Sequence, residues 1–172
     1  MTQQFQHCTP GRMDRDTFVS TFADIYEHSP WVAEQTFDQG LPDDASNIEQ
    51  LQQRMAAVLL SASQEAQLAL INAHPDLAGK AAIAGELTEA STSEQAGAGI
   101  NECTAEEFKR FTELNDAYKA RFNFPFIMAV KGSNRHEILA AFETRIHNSP
   151  ETEFSRALEE INKIALFRLS AM

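Results

Sequence analysis

The histidine at position 74 is the first of three features whose side chains could handle a proton or bind an anion. His74 is followed by Pro75 and Asp76, an order typical of a helix N-terminus with His74 as the N-cap. The positive end of a helix dipole keeps an imidazole neutral near pH 7, as a general base requires. A histidine that only caps a helix produces the same pattern and, taken alone, is the more common case. The pattern therefore fits either a structural cap or an acid/base.

The second feature is the segment from Ser91 to Gly99, in which Ser91 and Glu94 have the spacing of a capping box. An ordinary helix start explains that spacing. It does not explain why residues 96–99 all have small side chains, which let a ligand approach the backbone closely. Free amides at a helix start also bind anionic oxygens. The segment therefore fits either a plain helix start or one that binds an anion.

The third feature is Arg168, which continues the apolar stripe of the last predicted helix. That stripe consists of Phe154, Leu158, Ile161 and Ala165. A guanidinium on a buried helix face costs free energy unless it is paired with an anion. Arg168 therefore either extends to solvent at the helix end or forms a fork on a carboxylate. The carboxylate would belong to a substrate or to Glu94.

Metal-ligating and nucleophilic residues are not grouped in this sequence. The histidines lie far apart, whereas a zinc site needs three or four ligands brought together. Neither Cys8 nor Cys103 has a local activating group. The sequence also lacks the P-loop, the dinucleotide-binding glycine motif and the zinc-peptidase motif. We expect chemistry without a metal ion or a cysteine nucleophile.

Apolar residues repeat at helical spacing along most of the chain, and no segment alternates as a strand does. We expect an all-α protein, a single compact bundle-like domain over residues 1–172 with about seven or eight helices. Residues 1–12 are polar and expected to be loosely ordered. Start signals place helices near Asp14, Ser29, Asn47, Ser63, His74, Thr104, Asn134 and Ser149.

One stretch, from Phe122 to Val130, interrupts the helical periodicity around Pro125. Proline lacks a backbone N–H and disfavours a helical conformation in the residue before it. We interpret this stretch as a buried extended segment or loop between two helices.

The charge balance argues against nucleic acid and membrane partners. The chain contains 14 Lys and Arg and 25 Asp and Glu, a net charge of −11, and its basic residues are scattered singly. Such a surface repels nucleic acid phosphates and anionic lipid headgroups. No apolar run approaches the roughly 18 residues of a spanning helix, and the polar N-terminus does not resemble a secretory signal. We expect a cytoplasmic protein.

Taken together and in order, these motifs resemble one family, the decarboxylases of 2-oxo-4-hydroxy-4-carboxy-5-ureidoimidazoline (OHCU). Asn123 departs from the family, which usually has glycine there, but asparagine also tolerates a left-handed backbone. We therefore expect that turn to be kept. The resemblance covers nearly the whole chain and rests on residues 27–33 (EHSPWVA), 74–78 (HPDLA), 91–99, 111–115 (FTELN), Tyr118, 121–127 (RFNFPFI), Arg145 and Arg168.

The resemblance implies a cofactor-free carboxy-lyase, a homodimer of helical subunits, that converts OHCU into (S)-allantoin and CO2 in urate degradation. The family's catalytic histidine corresponds to His74, and Glu94 joins it by orienting the substrate or the imidazole. No metal ligand is implied. The resemblance assigns substrate contacts to Pro75, Ser91, Gln95, Phe126, Ile127, Met128, Ala129, Val130 and Arg168.

Two other classes of function remain compatible with the residues alone. A helical lyase or hydrolase that acts on another ureido or oxo acid would keep the same residues in a different pocket. A non-catalytic helical binding module would use His74, Ser91 and Glu94 only as helix caps. Accelerated loss of enzymatically generated OHCU would distinguish the first interpretation from both alternatives.

Overall fold

The computed structural model describes residues 3–78 and 87–172. Within those ranges the chain forms eight α-helices and two short 3-10 helices, and its only β-type pairing is an isolated bridge between Gln4 and Asn47. This confirms the all-α prediction. The α-helices are α1 (Arg15–Phe22), α2 (Trp31–Gln39), α3 (Ile48–Ser61), α4 (Gln64–Asn72), α5 (Glu89–Gly97), α6 (Ala105–Phe122), α7 (Arg135–Arg145) and α8 (Pro150–Ser170).

Side-chain caps begin several of these helices at the residues that the sequence indicates. Each of these caps accepts a hydrogen bond from an amide of the first turn and stabilises the helix by about 1 kcal/mol. The pair Thr104 and Glu107 forms a complete capping box at the start of α6. The confirmed caps are Asn47, Thr104 and Asn134, and the helices predicted to begin near Asp14 and Ser63 have those two residues as side-chain caps.

The helix starts predicted at Ser29 and His74 are wrong. α2 has Pro30 as its N-cap, and the Ser29 hydroxyl donates instead to the Glu27 carbonyl at 2.9 Å. The helix predicted from His74 is also not formed in its described part, because residues 74–78 are not helical. Ala78 has a φ of +55°, which lies outside the right-handed helical region. The rest of that predicted helix, residues 79–85, lies outside the described residues.

The chain divides into two units, which are described separately. The first comprises Met1–Ala73 with Ile161–Met172. The sequence predicts loose order for the N-terminal dozen residues, yet Phe5 and His7 donate backbone hydrogen bonds to Ser46 and Met172, each at 3.1 Å. The single domain predicted for residues 1–172 stays a prediction.

The second unit, His74–Glu160, has an aromatic core beneath the predicted extended segment. The ring of Phe126 stacks on Phe142 with centroids 3.8 Å apart, and Tyr118 meets Phe126 edge-on at 5.4 Å. Asn123 ends α6 in the left-handed conformation, with φ at +63°, so the turn expected there is kept. Residues 124–130 then cross this core without helical structure, which confirms the predicted break.

None of the helices formed by the described residues has both the length and the apolar character needed to cross a membrane.

Candidate active site

The segment from His74 to Ala78 follows α4, which ends at Asn72. The His74 side chain is partly exposed, whereas Leu77 and Ala78 are buried. A buried segment without helical hydrogen bonds needs other partners for its backbone groups. Side chains of α5 and α6 supply them.

Gln95 of α5 holds two backbone groups of this segment with one carboxamide. The Ala78 N–H donates to Gln95 Oε1 at 3.1 Å, and Gln95 Nε2 donates to the Asp76 carbonyl at 3.4 Å. Gln95 is only 5% exposed. Because the carboxamide is planar, the two bonds orient the backbone on both sides of Leu77 and support the left-handed Ala78.

Two residues one turn apart on α6 complete this support. Asn115 is buried, and its Nδ2 donates to the Leu77 carbonyl at 2.9 Å. Lys119 Nζ forms an ion pair with Asp76 at 2.6 Å, and both side chains keep some exposure to solvent. The residues that directly follow His74 and Pro75 are therefore held from two helices.

The segment from Ser91 to Gly99 is not a helix start at Ser91. Thr88 is the N-cap of α5, and the Ser91 N–H donates to Thr88 Oγ1 at 3.2 Å. The Thr92 amide is bonded inside the helix to the Thr88 carbonyl at 2.9 Å, so it is not available to an anion. The capping-box interpretation of Ser91 and Glu94 is wrong, because the helix begins three residues earlier.

The side chains of α5 point in different directions. Ser91 and Gln95, four residues apart, are buried on one face, while Glu94 is partly exposed. A side chain at Gly97 would meet open space, so its small size is not required by packing. Gly99 has a φ of +76°, a conformation that favours glycine.

The extended segment presents unused backbone donors. Phe126, Ile127 and Val130 are buried, while Met128 and Ala129 are partly exposed. No backbone N–H from Phe126 to Val130 donates to another residue that the structure describes. Backbone donors that the fold leaves unpaired bind either water or a ligand. A ligand oxygen placed against this segment would provide one.

A polar network that sequence reasoning missed lies beside that segment. Arg145 Nη1 donates to the Ile127 carbonyl at 2.7 Å, and Arg145 Nε pairs with Glu153 Oε1 at 3.0 Å. Tyr118 Oη donates to the same Glu153 oxygen at 2.7 Å. Burial and the neighbouring Glu153 carboxylate raise the pKa of Tyr118, so its hydroxyl stays a donor. One signal was present in the sequence: Glu153 lies four residues before Ala157 and eight before Ile161, which places a carboxylate on an apolar face of the last helix.

Arg168 belongs to the first unit and its side chain is paired within that unit, so the interpretation of a guanidinium extended to solvent is wrong. Its Nη1 lies 2.9 Å from Glu27 Oε2, with side chains only 8% and 1% exposed. The same nitrogen donates to the Asp24 carbonyl at 3.2 Å. The predicted need for an anionic partner is confirmed, and Glu27 meets it.

A metal site has no support in the described ranges. No group of three His, Cys, Asp or Glu side chains in residues 3–78 and 87–172 is placed to hold a metal ion.

The chain is similar to known decarboxylases along most of its length. A sequence model of the family described as OHCU decarboxylase matches residues 11–170. A 2-oxo-4-hydroxy-4-carboxy-5-ureidoimidazoline decarboxylase of Haloferax volcanii is 43% identical over 159 residues, covering 92% of this chain and 90% of that protein. A uric acid degradation bifunctional protein of a Bacillus species is 40% identical over 157 residues, covering 91% of this chain and 30% of that protein.

A solved structure extends the similarity to the fold. The crystal structure of an (S)-allantoin synthase superimposes with a TM-score of 0.72 at 33% identity. The superposition covers 92% of this chain and 50% of that one, so this chain spans about half the length of the solved protein.

Proposed function

The chain belongs to the OHCU decarboxylase family, and we propose that it converts OHCU into (S)-allantoin and CO2 with its own side chains as acid/base and binding groups. It is a carboxy-lyase of urate degradation. The observation that carries the proposal is the 43% identity to a decarboxylase of which the alignment covers 90%.

The chemistry requires no electron acceptor other than the substrate. Loss of CO2 breaks a carbon–carbon bond and leaves its electron pair on the ring, where the conjugated imidazoline delocalises it. The hydroxyl group then loses its proton as it becomes a carbonyl, and a ring carbon accepts a proton. A protein that delivers this proton to one face produces one enantiomer.

His74 is proposed as the acid/base that moves these protons. Its support is positional: the imidazole is partly exposed, and the segment that follows it is held by Gln95, Asn115 and Lys119. A fixed backbone reduces the number of orientations that the imidazole must search before a proton transfer. Pro75 restricts the backbone further, because its φ is set by the ring.

Three side chains of α5 have different proposed tasks. Glu94, partly exposed, is proposed to orient the substrate or the imidazole. For Gln95, a direct substrate contact would compete with its hydrogen bonds to Ala78 and Asp76. We therefore propose that Gln95 acts first by holding the His74 segment. Ser91, buried on the same face as Gln95, is proposed as a contact through its hydroxyl.

The extended segment is proposed to bind anionic and carbonyl oxygens of the substrate. Its amides from Phe126 to Val130 have no partner among the described residues and are held on a rigid aromatic core. Donors that are held in place before the substrate arrives lose little conformational freedom when they bind its oxygens. This supports the substrate contacts implied for Phe126, Ile127, Met128, Ala129 and Val130.

Arg168 is proposed to bind a substrate carboxylate. Its support is the resemblance to the family. The ion pair with Glu27 would have to be shared with a substrate carboxylate or exchanged for it. We also propose a cytoplasmic homodimer that needs no cofactor. Light scattering after size-exclusion chromatography tests the dimer.

A coupled assay tests the function. Urate oxidase and hydroxyisourate hydrolase generate OHCU from urate, and the protein is expected to accelerate its disappearance and to yield optically active allantoin by circular dichroism. Turnover is expected to survive dialysis against EDTA. Loss of OHCU at the spontaneous rate, with racemic product, would refute the proposal. Activity lost on dialysis and restored by zinc or magnesium would refute its cofactor-free form.

A further inference from the structure

We infer that Arg145 is a positioning residue that aims the backbone N–H of Met128 at the substrate, with Glu153 and Tyr118 holding the guanidinium. The inference rests on the proposed substrate role of residues 126–130. None of these three side chains is among the substrate contacts implied by family resemblance.

The peptide between Ile127 and Met128 connects Arg145 to the proposed binding surface. Arg145 Nη1 donates to the Ile127 carbonyl at 2.7 Å. A trans peptide is planar, so its C=O and N–H point in opposite directions. Fixing the Ile127 carbonyl towards Arg145 therefore directs the Met128 N–H away from the network. Met128 is partly exposed, and this N–H has no partner among the described residues.

The guanidinium also restrains the residue before this peptide. Arg145 Cζ lies 4.3 Å from the centroid of the Phe126 ring, and that ring stacks on Phe142. A cation over an aromatic face is an attractive contact, particularly when it is desolvated. The backbone of Phe126 and the carbonyl of Ile127 are therefore held by the same side chain.

Glu153 and Tyr118 fix the direction in which Arg145 points. Glu153 is fully buried, and its Oε1 accepts from both Arg145 Nε and Tyr118 Oη. Its Oε2 accepts from Asn148 Nδ2 at 3.0 Å. The guanidinium is planar and its donors have a fixed geometry, so a bond at Nε sets where Nη1 points.

Stability alone is a weak explanation of this network. A buried ion pair contributes little net stability compared with apolar residues of similar volume. Arg145 Nη2 is buried and has no hydrogen-bond partner in the described part of the chain, so the arrangement does not use every donor. The network does meet a geometric requirement. The extended segment is not paired with a neighbouring strand, so a side chain has to fix the orientation of its Ile127–Met128 peptide.

Arg145→Lys tests the inference, with Arg135→Lys as its matched control. Lysine keeps the charge but loses the planar fork. Arg135 lies on the same helix and binds Glu107 through its own Nε at 3.0 Å, so the control loses a comparable ion-pair geometry. Its side-chain hydrogen bonds go to Glu107 and not to residues 124–130.

Selective 15N-methionine labelling provides a readout that does not depend on turnover. The chain has 5 methionines, so the amide spectrum is sparse, and Met128→Leu identifies the signal of interest. Allantoin is expected to shift the Met128 signal of the wild type. Arg145→Lys is expected to displace that signal in the absence of ligand. It is also expected to raise KM about tenfold while kcat stays within about twofold, because a tenfold change in KM corresponds to the loss of roughly one hydrogen bond. Arg135→Lys is expected to change neither.

Tyr118→Phe covers the case in which Arg145→Lys fails to fold. It keeps the ring in the core and removes only one donor to Glu153, so the same changes are expected at a smaller size. An unmoved Met128 signal in both variants, or a KM that Arg145→Lys and Arg135→Lys raise equally, would overturn the inference. In a wild-type protein that does accelerate OHCU loss, allantoin that leaves the Met128 signal in place would also overturn it.

Failure of the proposed reaction gives a different result. A wild-type protein that does not accelerate OHCU loss, while Arg145→Lys alone displaces the Met128 signal, would refute the decarboxylation and support the orientation of this amide by Arg145.

Discussion

Residues 74–78 and residues 126–130 are both non-helical segments of the second unit, and they are supported by different chemistry. The first offers a side chain, His74, and is held by the neutral carboxamides of Gln95 and Asn115. The second offers backbone amides and is held by the guanidinium of Arg145 in a buried ion pair. In an all-helical unit, both candidate functional surfaces lie where the helices stop.

The reason is that a helix uses its own backbone groups. Inside a helix nearly every N–H is bonded to the carbonyl four residues earlier and cannot serve a ligand. Only an irregular segment has backbone donors available for a ligand, and such a segment lacks the regular backbone hydrogen bonds that fix the shape of a helix. Hydrogen bonds from buried polar side chains of neighbouring helices fix its shape instead. Four predictions test this comparison.

His74→Asn is expected to have the largest effect, because it removes the acid/base from the first segment without disturbing its support. The rate is expected to fall at least about a hundredfold, the low end of general acid–base contributions. Far-UV circular dichroism is expected to be unchanged. A rate within a few-fold of the wild type would remove His74 from the chemistry and leave the second segment as the only functional one.

Glu94→Gln asks whether the charge on α5 belongs to the chemistry of the first segment. Glu94 lies inside the helix and not in a capping box, and Gln has a similar helix propensity, so the melting temperature is expected to change little. We expect kcat/KM to fall at least about tenfold, because an ionised acceptor forms the stronger hydrogen bonds. Steady-state kinetics beside a thermal melt measure both quantities. Normal kinetics would show that the charge is dispensable.

Arg168→Lys tests whether the two segments suffice for substrate binding. Lysine cannot reproduce the fork on a substrate carboxylate, and kcat/KM is expected to fall about tenfold. The variant also loses hydrogen bonds to the carbonyls of Asp24 and Ile25. We therefore expect a lower melting temperature, by about 2–4 °C for each kcal/mol lost from the free energy of unfolding.

Glu27→Gln is the matched control for Arg168, because it removes the partner's charge and keeps its shape. Wild-type kinetics in Arg168→Lys, with a lowered melting temperature in both variants, would make the pair structural only.

Lys119→Met is expected to have the smallest effect. The Lys119 ammonium pairs with Asp76 in the first segment, but its side chain is 42% exposed, and such pairs contribute about 0.2–1 kcal/mol. We expect kcat/KM within about twofold of the wild type. A tenfold loss would show that the exposed ion pair, and not the buried carboxamides, holds the His74 segment.

The sequence was most informative where structure depends on neighbours along the chain. The caps Asp14, Asn47, Ser63, Thr104 and Asn134 were predictable because a cap and the amide that it binds are only two or three residues apart. The end of α6 at Asn123 followed from a residue that tolerates a left-handed backbone. The break before Val130 followed from a proline and a lost periodicity.

The same local rules failed at His74 and Ser91. The order His-Pro-Asp fits a helix start, yet Gln95 and Asn115 bind the backbone that such a helix would use. Ser91 and Glu94 have capping-box spacing, yet Thr88 caps the helix first. In both places a second arrangement of the same residues was available, and local spacing does not rank the two.

The sequence by itself determined the helical class, most helix boundaries, the family and the residues proposed to touch substrate, because these are written in short-range patterns. Only the tertiary structure decided what supports them. Arg145 binds Glu153 and the Ile127 carbonyl, and Arg168 binds Glu27. The periodicity of apolar residues does not predict which of these groups pair. A buried charge needs a partner, but which partner it finds depends on how the helices pack, and packing is a property of the whole fold.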